Sequence, residues 1–187
     1  MKQFGLIGYP LSHSFSKGYF SEKFQKESIF DCQYDIFPLE KIEDFVELCA
    51  QHKNIVGLNV TIPYKEKIIP FLDELDDEAK AIGAVNTIKF TNGKMIGYNT
   101  DCFGFEMSLK PLLKAHHNSA LILGTGGASK AVEYVLKKLG ISFQYVSRTK
   151  SSTSISYNDV NSFIIQHSTL IINSTPIGMY PNVDIAP

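Results

Sequence analysis

The sequence lacks several features that would place it in a specialised class of protein. Its three cysteines, Cys32, Cys49 and Cys102, are too few and too scattered for a disulfide framework or a cysteine-based zinc site. Its 18 basic and 19 acidic side chains leave a net charge of −1, whereas a nucleic-acid-binding protein carries a basic surface. No apolar run approaches the ~20 residues that span a bilayer. These absences exclude nucleic acid and membrane as partners.

The remaining composition is that of an ordinary globular protein with one large core or two small ones. Hydrophobic residues make up 44% of the 187 residues and charged residues 20%. The chain enters a strand pattern almost at once, so we expect no signal peptide and, with reduced thiols, a cytoplasmic location. We expect no metal site, because the histidines lack ligand spacing and suit surface or capping positions: His13, His52, His116, His117 and His167.

Apolar periodicity predicts strands that alternate with helices along most of the chain. The predicted strands cover residues 4–8, 33–37, 55–60, 85–90, 95–99, 120–123, 142–146 and 170–173. The predicted helices cover residues 17–26, 39–52, 74–82, 101–116, 128–139 and 159–167, with a short helix opened by Pro63 and a loop over 149–156. Strands separated by helices indicate an α/β protein. Asn92 and Gly93 predict a hairpin, and the helix that follows it is the natural seam between two domains.

The clearest candidate site is a glycine-rich turn between an apolar strand and a helix. Gly124 would permit the tight turn, and Gly126 would let the backbone approach a pyrophosphate at the helix N-terminus. Ser129 stands where the dinucleotide fingerprint has its third glycine, and it is small enough for close packing of helix on strand. The competing interpretation is a glycine turn of any βα unit.

The end of the next strand favours the nucleotide interpretation. Proteins that prefer NAD place an acidic residue about 20 residues after the glycines, where it accepts from the ribose 2′-hydroxyl. This sequence instead has its only arginine there, Arg148, between Ser147 and Thr149 and followed by Lys150. A guanidinium binds a 2′-phosphate through paired hydrogen bonds, so the predicted cofactor is NADP(H). The alternative is a solvated surface arginine.

Polar residues in the first half of the chain follow several predicted strands. Ser14 and Ser16 lie in the loop after the first strand, where ligands of α/β proteins bind, with Ser16 as the candidate helix cap and Ser14 as the candidate ligand contact. Asn59 and Thr61 alternate on a strand predicted to be buried, so they need polar partners. Lys65 is predicted in the first turn of a helix, where the dipole disfavours a cation, which makes it a candidate functional lysine.

Two further strand ends add to this set. Asn86 and Thr87 interrupt an apolar strand, and residues 99–101 end the next one. Together these groups predict a cleft that binds hydroxyl groups of a polyhydroxylated small molecule. The acidic run 73–78 suits a solvated helix face, with Asp76 and Asp77 as less favoured cofactor contacts.

Seven segments taken together resemble the shikimate dehydrogenase family over essentially the whole chain. They are residues 8–16, 59–65, 83–87, 97–101, 124–129, 147–149 and 172–179. The family is an oxidoreductase that reduces 3-dehydroshikimate to shikimate with NADPH, on the way to chorismate and the aromatic amino acids. The resemblance implies an α/β substrate-binding and catalytic domain over residues 1–102. It also implies a Rossmann-like NADP-binding domain over residues 103–187, truncated at its C-terminus.

The resemblance also implies a role for individual residues. The acid–base pair would be Lys65 with Asp101. The substrate carboxylate would be bound by Ser14 and Ser16, and its ring hydroxyls by Asn59, Thr61, Asn86 and Asp101. The pyrophosphate would lie on Gly124, Thr125, Gly126, Gly127 and Ala128, and the 2′-phosphate on Ser147, Arg148, Thr149 and Lys150, within the segment 147–152. The nicotinamide would contact Met179, with Asp77 as an additional cofactor contact.

Three departures from the family pattern leave alternatives open. Lys17 stands where the family usually has proline, Ser147 where it commonly has asparagine, and the chain ends at Pro187 where family members continue for several dozen residues. One alternative is a quinate/shikimate dehydrogenase that uses NAD. Another is a truncated module that binds nucleotide or shikimate without turnover. The expected partner is a small-molecule substrate, and the expected state is a monomer or homodimer.

Overall fold

The computed structural model describes residues 1–12, 14–180 and 182–187, and the chain divides into two compact units, residues 1–100 and 101–187. The strands are β1 (Lys2–Gly8), β2 (Cys32–Pro38), β3 (Ile55–Val60), β4 (Glu74–Leu75), β5 (Thr87–Thr91), β6 (Lys94–Tyr98), β7 (Ser119–Leu123), β8 (Ser142–Ser147), β9 (Ser154–Ser156) and β10 (Leu170–Asn173). The helices are α1 (Ser16–Lys26), α2 (Asp44–Gln51), α3 (Asp77–Ile82), α4 (Asp101–Leu109), α5 (Gly127–Lys138) and α6 (Ser162–Gln166). Short 3₁₀ turns cover Ile69–Phe71, Lys110–Leu112 and Tyr157–Asp159. The expectation for His13 lies outside the described residues.

The first unit is built on a six-stranded mixed sheet of order β2-β1-β3-β5-β6-β4. β1 pairs in parallel with β2 and β3, whereas β5 runs antiparallel to both β3 and β6. Asn92 and Gly93 join β5 to β6 with φ angles of 51° and 74°. Positive φ at both central residues is what a tight hairpin turn requires, so the predicted hairpin is confirmed.

The two faces of this sheet are covered differently. Ile7, Leu58 and Val60 point to the face covered by α2, where they form a core with Phe45, which is 1% exposed. The other face carries α1, and the Phe20 ring of this helix stacks on the ring of Tyr34 in β2. Beside α1, a groove of about 540 Å³ lies over β3 and β5. Asn59 of β3 and Thr87 of β5, which lie opposite each other, line this groove.

The second unit is a four-stranded parallel sheet of order β10-β7-β8-β9. Helix α5 packs on β7 and β8 and buries Val135 and Leu136 completely. The strand order reverses between β7 and β10, which is the switch point of a Rossmann-like sheet, and ligands bind at the carboxyl ends of strands at such a point. The predicted α/β class with a Rossmann-like second part is confirmed.

The described helices are short, and the cysteines form no disulfide. No helix in the described ranges is long and apolar enough to cross a membrane. Cys102 is buried, and Cys32 and Cys49 are half-buried.

The prediction of a helix at Pro63 is wrong. The segment from Thr61 to Ile68 forms turns instead, because the carbonyl of Lys65 accepts a hydrogen bond from the Val85 N–H at 2.7 Å. That bond ties the segment to the start of the next strand and removes an acceptor that a helix would need. Since Lys65 is not in the first turn of a helix, a helix dipole gives no reason to regard it as a functional lysine.

Several other element boundaries differ from the prediction, among them the end of α4 at Leu109, where the helix was expected to continue to residue 116. The helix expected from residue 39 begins at Asp44, because Leu39 and Ile42 turn into the core instead. The helix expected from residue 74 begins at Asp77, because the Asp76 carboxylate caps it by accepting from the Ala79 N–H at 2.8 Å. The weak helix expected from residue 159 is confined to α6, and β9 lies in the predicted loop.

Substituting Gly5 tests how tightly the first sheet is packed. A Cβ on Gly5 would lie 2.7 Å from a ring carbon of Phe37 and 2.9 Å from the carbonyl oxygen of Asp35. Because the contact with backbone cannot be relieved by a rotamer change, we expect Gly5→Ala to lower the free energy of unfolding by about 1–3 kcal/mol.

The matched control is Gly18→Ala in α1, where an added Cβ meets nothing within 4 Å. The better helix propensity of alanine should raise the free energy of unfolding by about 0.5–1 kcal/mol there. Urea denaturation measures both variants. Equal stability of the two would contradict the packing argument.

Candidate active site

Sheet pairing brings the polar residues of the first unit to one edge. β1 and β3 run parallel with Ile7 opposite Val60, so the loops that follow them leave the sheet at the same edge. β5 starts at this edge with Thr87 opposite Asn59, and β6 ends there with Tyr98 opposite Thr87. The predicted residues at this edge are Ser14, Ser16, Asn59, Thr61, Lys65 and Asn86.

Asn86 is the centre of the hydrogen bonds at this edge. Its side chain is buried, and its Oδ1 accepts from the Thr100 backbone N–H at 2.8 Å and from the Thr87 hydroxyl at 3.1 Å. Its Nδ2 donates to the Thr100 hydroxyl at 3.0 Å. Its backbone N–H donates to the Tyr98 carbonyl, and its carbonyl accepts from Val60. Asn86 interrupts the apolar strand because its side-chain amide joins the start of β5 to the residues that follow β6.

Asn59 and Thr61 stand at the end of β3. The Oδ1 of Asn59 accepts from the Tyr34 phenol at 2.8 Å, and its Nδ2 donates to the Thr87 hydroxyl at 3.5 Å. Thr61 packs on Gly8, where a Cβ would lie 2.5 Å from the Thr61 methyl carbon. Sequence reasoning missed Tyr34, because strand periodicity does not separate a tyrosine with polar partners from a core aromatic.

The serine loop after β1 differs from the expectation. Ser14 Oγ accepts from the Ser16 backbone N–H at 3.3 Å, whereas Phe15, which precedes α1, forms no side-chain cap. The interpretation of Ser16 as the cap is therefore wrong, and Ser14 supports the first turn. Because Ser14 acts as an acceptor in that bond, its O–H can still be donated to an anion.

Lys17, the departure from the family pattern, ties the start of α1 to β2. Its Nζ lies 3.0 Å from Asp35 Oδ1, and Gln3 donates to the other carboxylate oxygen at 3.1 Å. Burial raises the pKa of Asp35, but the hydrogen bonds from Lys17 and Gln3 outweigh it and leave the pKa lowered. Lysine in place of proline therefore adds an ion pair beside the serine loop.

Lys65 lies in a different local setting from the one expected, whereas Asp77 lies on a solvated helix face as expected. Lys65 is half-buried in the turns after β3 and is placed at the sheet edge by the bond from Val85 to its carbonyl. Asp77 is exposed in the first turn of α3. Asp76 is the capping residue of that helix, so of the two acids only Asp77 is left as a candidate contact.

In the second unit, the glycine turn after β7 has the features of a diphosphate site. Gly124 has a φ of +106°, which favours glycine, and Gly126 has open space where a Cβ would stand. No side chain caps the first turn of α5, so its N–H groups and positive dipole end are offered to a ligand. Thr125 is exposed, and Gly127 and Ala128 begin the helix. These residues fit the pyrophosphate of a dinucleotide.

Ser129 explains how the pattern works without its third glycine. It is fully buried, and its hydroxyl lies 2.8 Å from that of Ser174, which donates to the Leu123 carbonyl at 2.7 Å. The pair joins α5 to the ends of β7 and β10. The predicted close packing of helix on strand at Ser129 is confirmed.

The loop after β8 holds Arg148 among bonded hydroxyls. Ser154 Oγ lies 3.0 Å from Ser147 Oγ and 2.8 Å from Ser151 Oγ, and Ser147 also donates to the Thr149 carbonyl. Arg148 and Thr149 are exposed on this loop. Sequence reasoning missed Ser154, although the run of hydroxyl residues over 151–154 is a signal for such a network.

Lys150 differs from Arg148 because it has an acidic neighbour. Its Nζ lies 3.7 Å from Asp159 Oδ2, and hydrogen bonds from the backbone and hydroxyl of Ser156 lower the pKa of Asp159. The ionised carboxylate of Asp159 partly neutralises the positive charge of Lys150. Arg148 is therefore the stronger candidate for binding a phosphate.

Asp101 and Met179 complete the predicted set in the second unit. Asp101 is the first residue of α4 and is half-buried. Met179 follows β10 and is 60% exposed, and its N–H donates to the Pro176 carbonyl. Within the described part of the chain, no three His, Cys, Asp or Glu residues form a group that could hold a metal ion.

Comparison with known proteins identifies the family. Residues 6–88 match the model of the shikimate dehydrogenase substrate binding domain. The shikimate dehydrogenase (NADP⁺) of Methanococcus maripaludis is 38% identical, over 100% of this chain and 72% of the relative. This chain belongs to the shikimate dehydrogenase family. The family member of Clostridium perfringens, also a shikimate dehydrogenase (NADP⁺), is 38% identical over 98% of this chain and 72% of its own length.

Solved structures of shikimate dehydrogenases have the same fold. Shikimate dehydrogenase 1 of Peptoclostridium difficile is 39% identical, with a TM-score of 0.85 over 100% of this chain and 72% of that one. The Thermus thermophilus enzyme, solved in complex with NADP(H) and shikimate, is 27% identical, with a TM-score of 0.83 over 100% of this chain and 73% of that one. The family predicted from the seven segments is confirmed.

Replacing Asn86 tests whether its amide holds this edge of the sheet together. Asn86→Ala leaves the Thr100 N–H without its acceptor, so we expect the free energy of unfolding to fall by about 1–3 kcal/mol. Asn54→Ala is the matched control, because Asn54 is exposed and its side chain donates to the Met1 carbonyl at the chain end. A change within about 0.5 kcal/mol is expected there. Chemical denaturation of both variants measures the difference, and equal losses would refute the assigned role.

Proposed function

We propose that this chain catalyses the NADPH-dependent reduction of 3-dehydroshikimate to shikimate, in the biosynthesis of chorismate and the aromatic amino acids. The observation that carries the proposal is the gathering of polar residues from separate motifs at one sheet edge. Relatives named shikimate dehydrogenase (NADP⁺) support it, as does the solved complex with NADP(H) and shikimate. In this proposal residues 1–102 bind the substrate and carry the catalytic lysine, and residues 103–187 bind the cofactor.

The substrate is held mainly by neutral hydrogen-bonding groups. Ser14 and Ser16 bind its carboxylate from the loop after β1. The ring hydroxyls are bound by Asn59, Thr61, Asn86 and Asp101. Amide and hydroxyl groups both donate and accept, so they suit a ring that carries several hydroxyls.

Lys65 is the proposed general acid, with Asp101 as the second member of the catalytic pair. Bound NADPH supplies the hydride that reduces the ketone carbon. The Lys65 ammonium donates a proton to the developing alkoxide oxygen, and its charge stabilises the negative charge that forms there. In the reverse direction, the neutral amine of Lys65 removes the proton from the hydroxyl of shikimate.

The second unit holds the cofactor through backbone and one guanidinium. Gly124, Thr125, Gly126, Gly127 and Ala128 bind the pyrophosphate at the N-terminus of α5. The 2′-phosphate is bound by Ser147, Arg148, Thr149 and Lys150. The nicotinamide contacts Met179, and Asp77 is an additional cofactor contact.

In the proposed reaction each chain binds one small substrate and one cofactor. Either a monomer or a homodimer is compatible with this. Cysteines without disulfides fit a reducing cytoplasm. Loss of the NADPH absorbance band on addition of 3-dehydroshikimate tests the proposal directly. Binding without oxidation would favour a non-catalytic module, and faster oxidation of NADH would favour a quinate/shikimate dehydrogenase that uses NAD.

Lys65→Ala tests the proposed acid. We expect kcat to fall by ~10²–10⁴, because the alkoxide loses its proton donor, while the dissociation constant of shikimate changes much less. Lys67→Ala is the control, since Lys67 is exposed two residues further along the same segment. Steady-state kinetics and shikimate titration measure both variants. Near-normal turnover of Lys65→Ala would remove this lysine from the mechanism.

Arg148→Ala tests how the cofactor is selected. Loss of a charge-assisted contact to the 2′-phosphate should raise the KM for NADPH by about 10- to 100-fold. The KM for NADH should stay within about 2-fold, because NADH has no group for Arg148 to bind. Comparing the two cofactors in one assay makes NADH the internal control. An equal rise in the KM for NADPH and the KM for NADH would assign Arg148 a structural role instead.

A further inference from the structure

Tyr34 is a buried tyrosine with a polar partner, and the proposed function gives it no role. It lies on β2 and is 4% exposed, and its ring stacks on Phe20 with the centroids 4.5 Å apart and the planes 12° apart. Its phenol donates to Asn59 Oδ1 at 2.8 Å. Tyr34 therefore supports a residue that is proposed to bind a ring hydroxyl of the substrate.

We propose that Tyr34 is a positioning residue for the substrate. Its phenol fixes the orientation of the Asn59 amide, so that a ring hydroxyl of the substrate is bound in one orientation. The inference rests on the proposed function, because it concerns how the proposed substrate contacts are aligned.

The hydrogen-bonding capacity of each group supports this assignment. A phenol has one proton, which Tyr34 donates to Asn59 Oδ1. The Asn59 amide is thereby oriented with its oxygen toward Tyr34 and its N–H groups on the other side, where one reaches the Thr87 hydroxyl. Thr87 in turn donates to Asn86 at 3.1 Å. The chain of bonds therefore runs from Tyr34 on β2 to the Asn86 amide at the sheet edge.

The environment of Tyr34 keeps it able to donate. Burial raises the pKa of its phenol to about 12, with a smaller opposing effect of the Ser16 hydroxyl. The phenol is therefore protonated throughout the neutral pH range, and its proton stays available to Asn59.

Tyr34→Phe removes only the hydroxyl and keeps the ring that stacks on Phe20. We expect the KM for shikimate to rise about 5- to 50-fold, while kcat changes less than about 3-fold and the KM for NADP⁺ is unchanged. A role in packing alone would leave the KM for shikimate as it is. The split between KM and kcat therefore distinguishes positioning from a general loss of structure.

The matched control is Tyr145→Phe in the second unit. Tyr145 is also buried, and its phenol donates to Glu133 at 2.6 Å. Loss of this bond should lower the melting temperature without changing the KM for shikimate. The double variant Tyr34→Phe/Asn59→Ala provides a second test, because a residue that acts through Asn59 should add little once that amide is gone.

Measuring the wild-type chain in the same assay distinguishes a failure of the proposed function from a failure of the role assigned to Tyr34. A wild type that neither binds shikimate nor reduces 3-dehydroshikimate overturns the proposed function, and the role of Tyr34 with it. An active wild type whose Tyr34→Phe variant keeps the KM for shikimate within about 2-fold, or whose double variant shows additive losses, overturns the role of Tyr34 alone. An active wild type with the expected rise in KM and non-additive losses supports it.

Discussion

The register of β3 against its neighbours is the constraint on which the candidate site of the first unit depends. Asn59 lies opposite Leu6 of β1 and Thr87 of β5, and it faces the α1 side of the sheet. A slip of one residue would exchange the two faces, so that Asn59 would enter the core and Leu58 would leave it. The apolar core with Leu58 and Val60 therefore fixes the position of a polar amide. Packing on one face and binding on the other are set by the same pairing.

The two units use similar polar devices for different purposes. In the first unit a buried amide, Asn86, joins strand ends through side-chain bonds to Thr87 and Thr100. In the second unit buried serine hydroxyls, those of Ser129 and Ser154, join a helix or a loop to neighbouring strand ends. In both units, groups that carry no charge support residues proposed to contact ligands. Uncharged buried groups with satisfied hydrogen bonds avoid the large desolvation cost of ions.

The sequence predicted the periodic parts of the fold better than the local polar geometry. β3 and β10 lie where apolar runs predicted them, and the glycine turn lies between strand and helix as expected. Pro63 was misread because proline suits a first helical turn, whereas the bond from Val85 to Lys65 joins residues far apart in sequence. The bond between Tyr34 and Asn59 is likewise a long-range contact. Periodicity reports which face of an element is buried, but it does not report which polar groups meet across strands.

The bare N-terminus of α5 has a chemical consequence for cofactor retention. Its donors are backbone amides around Gly126, with no capping side chain, and backbone amides neither gain nor lose protons over the physiological range. The contribution of these amides to diphosphate binding therefore does not change with pH. A change in cofactor binding as the pH falls is then expected from titratable groups near the cofactor, such as its own phosphate monoester or Asp159 beside Lys150.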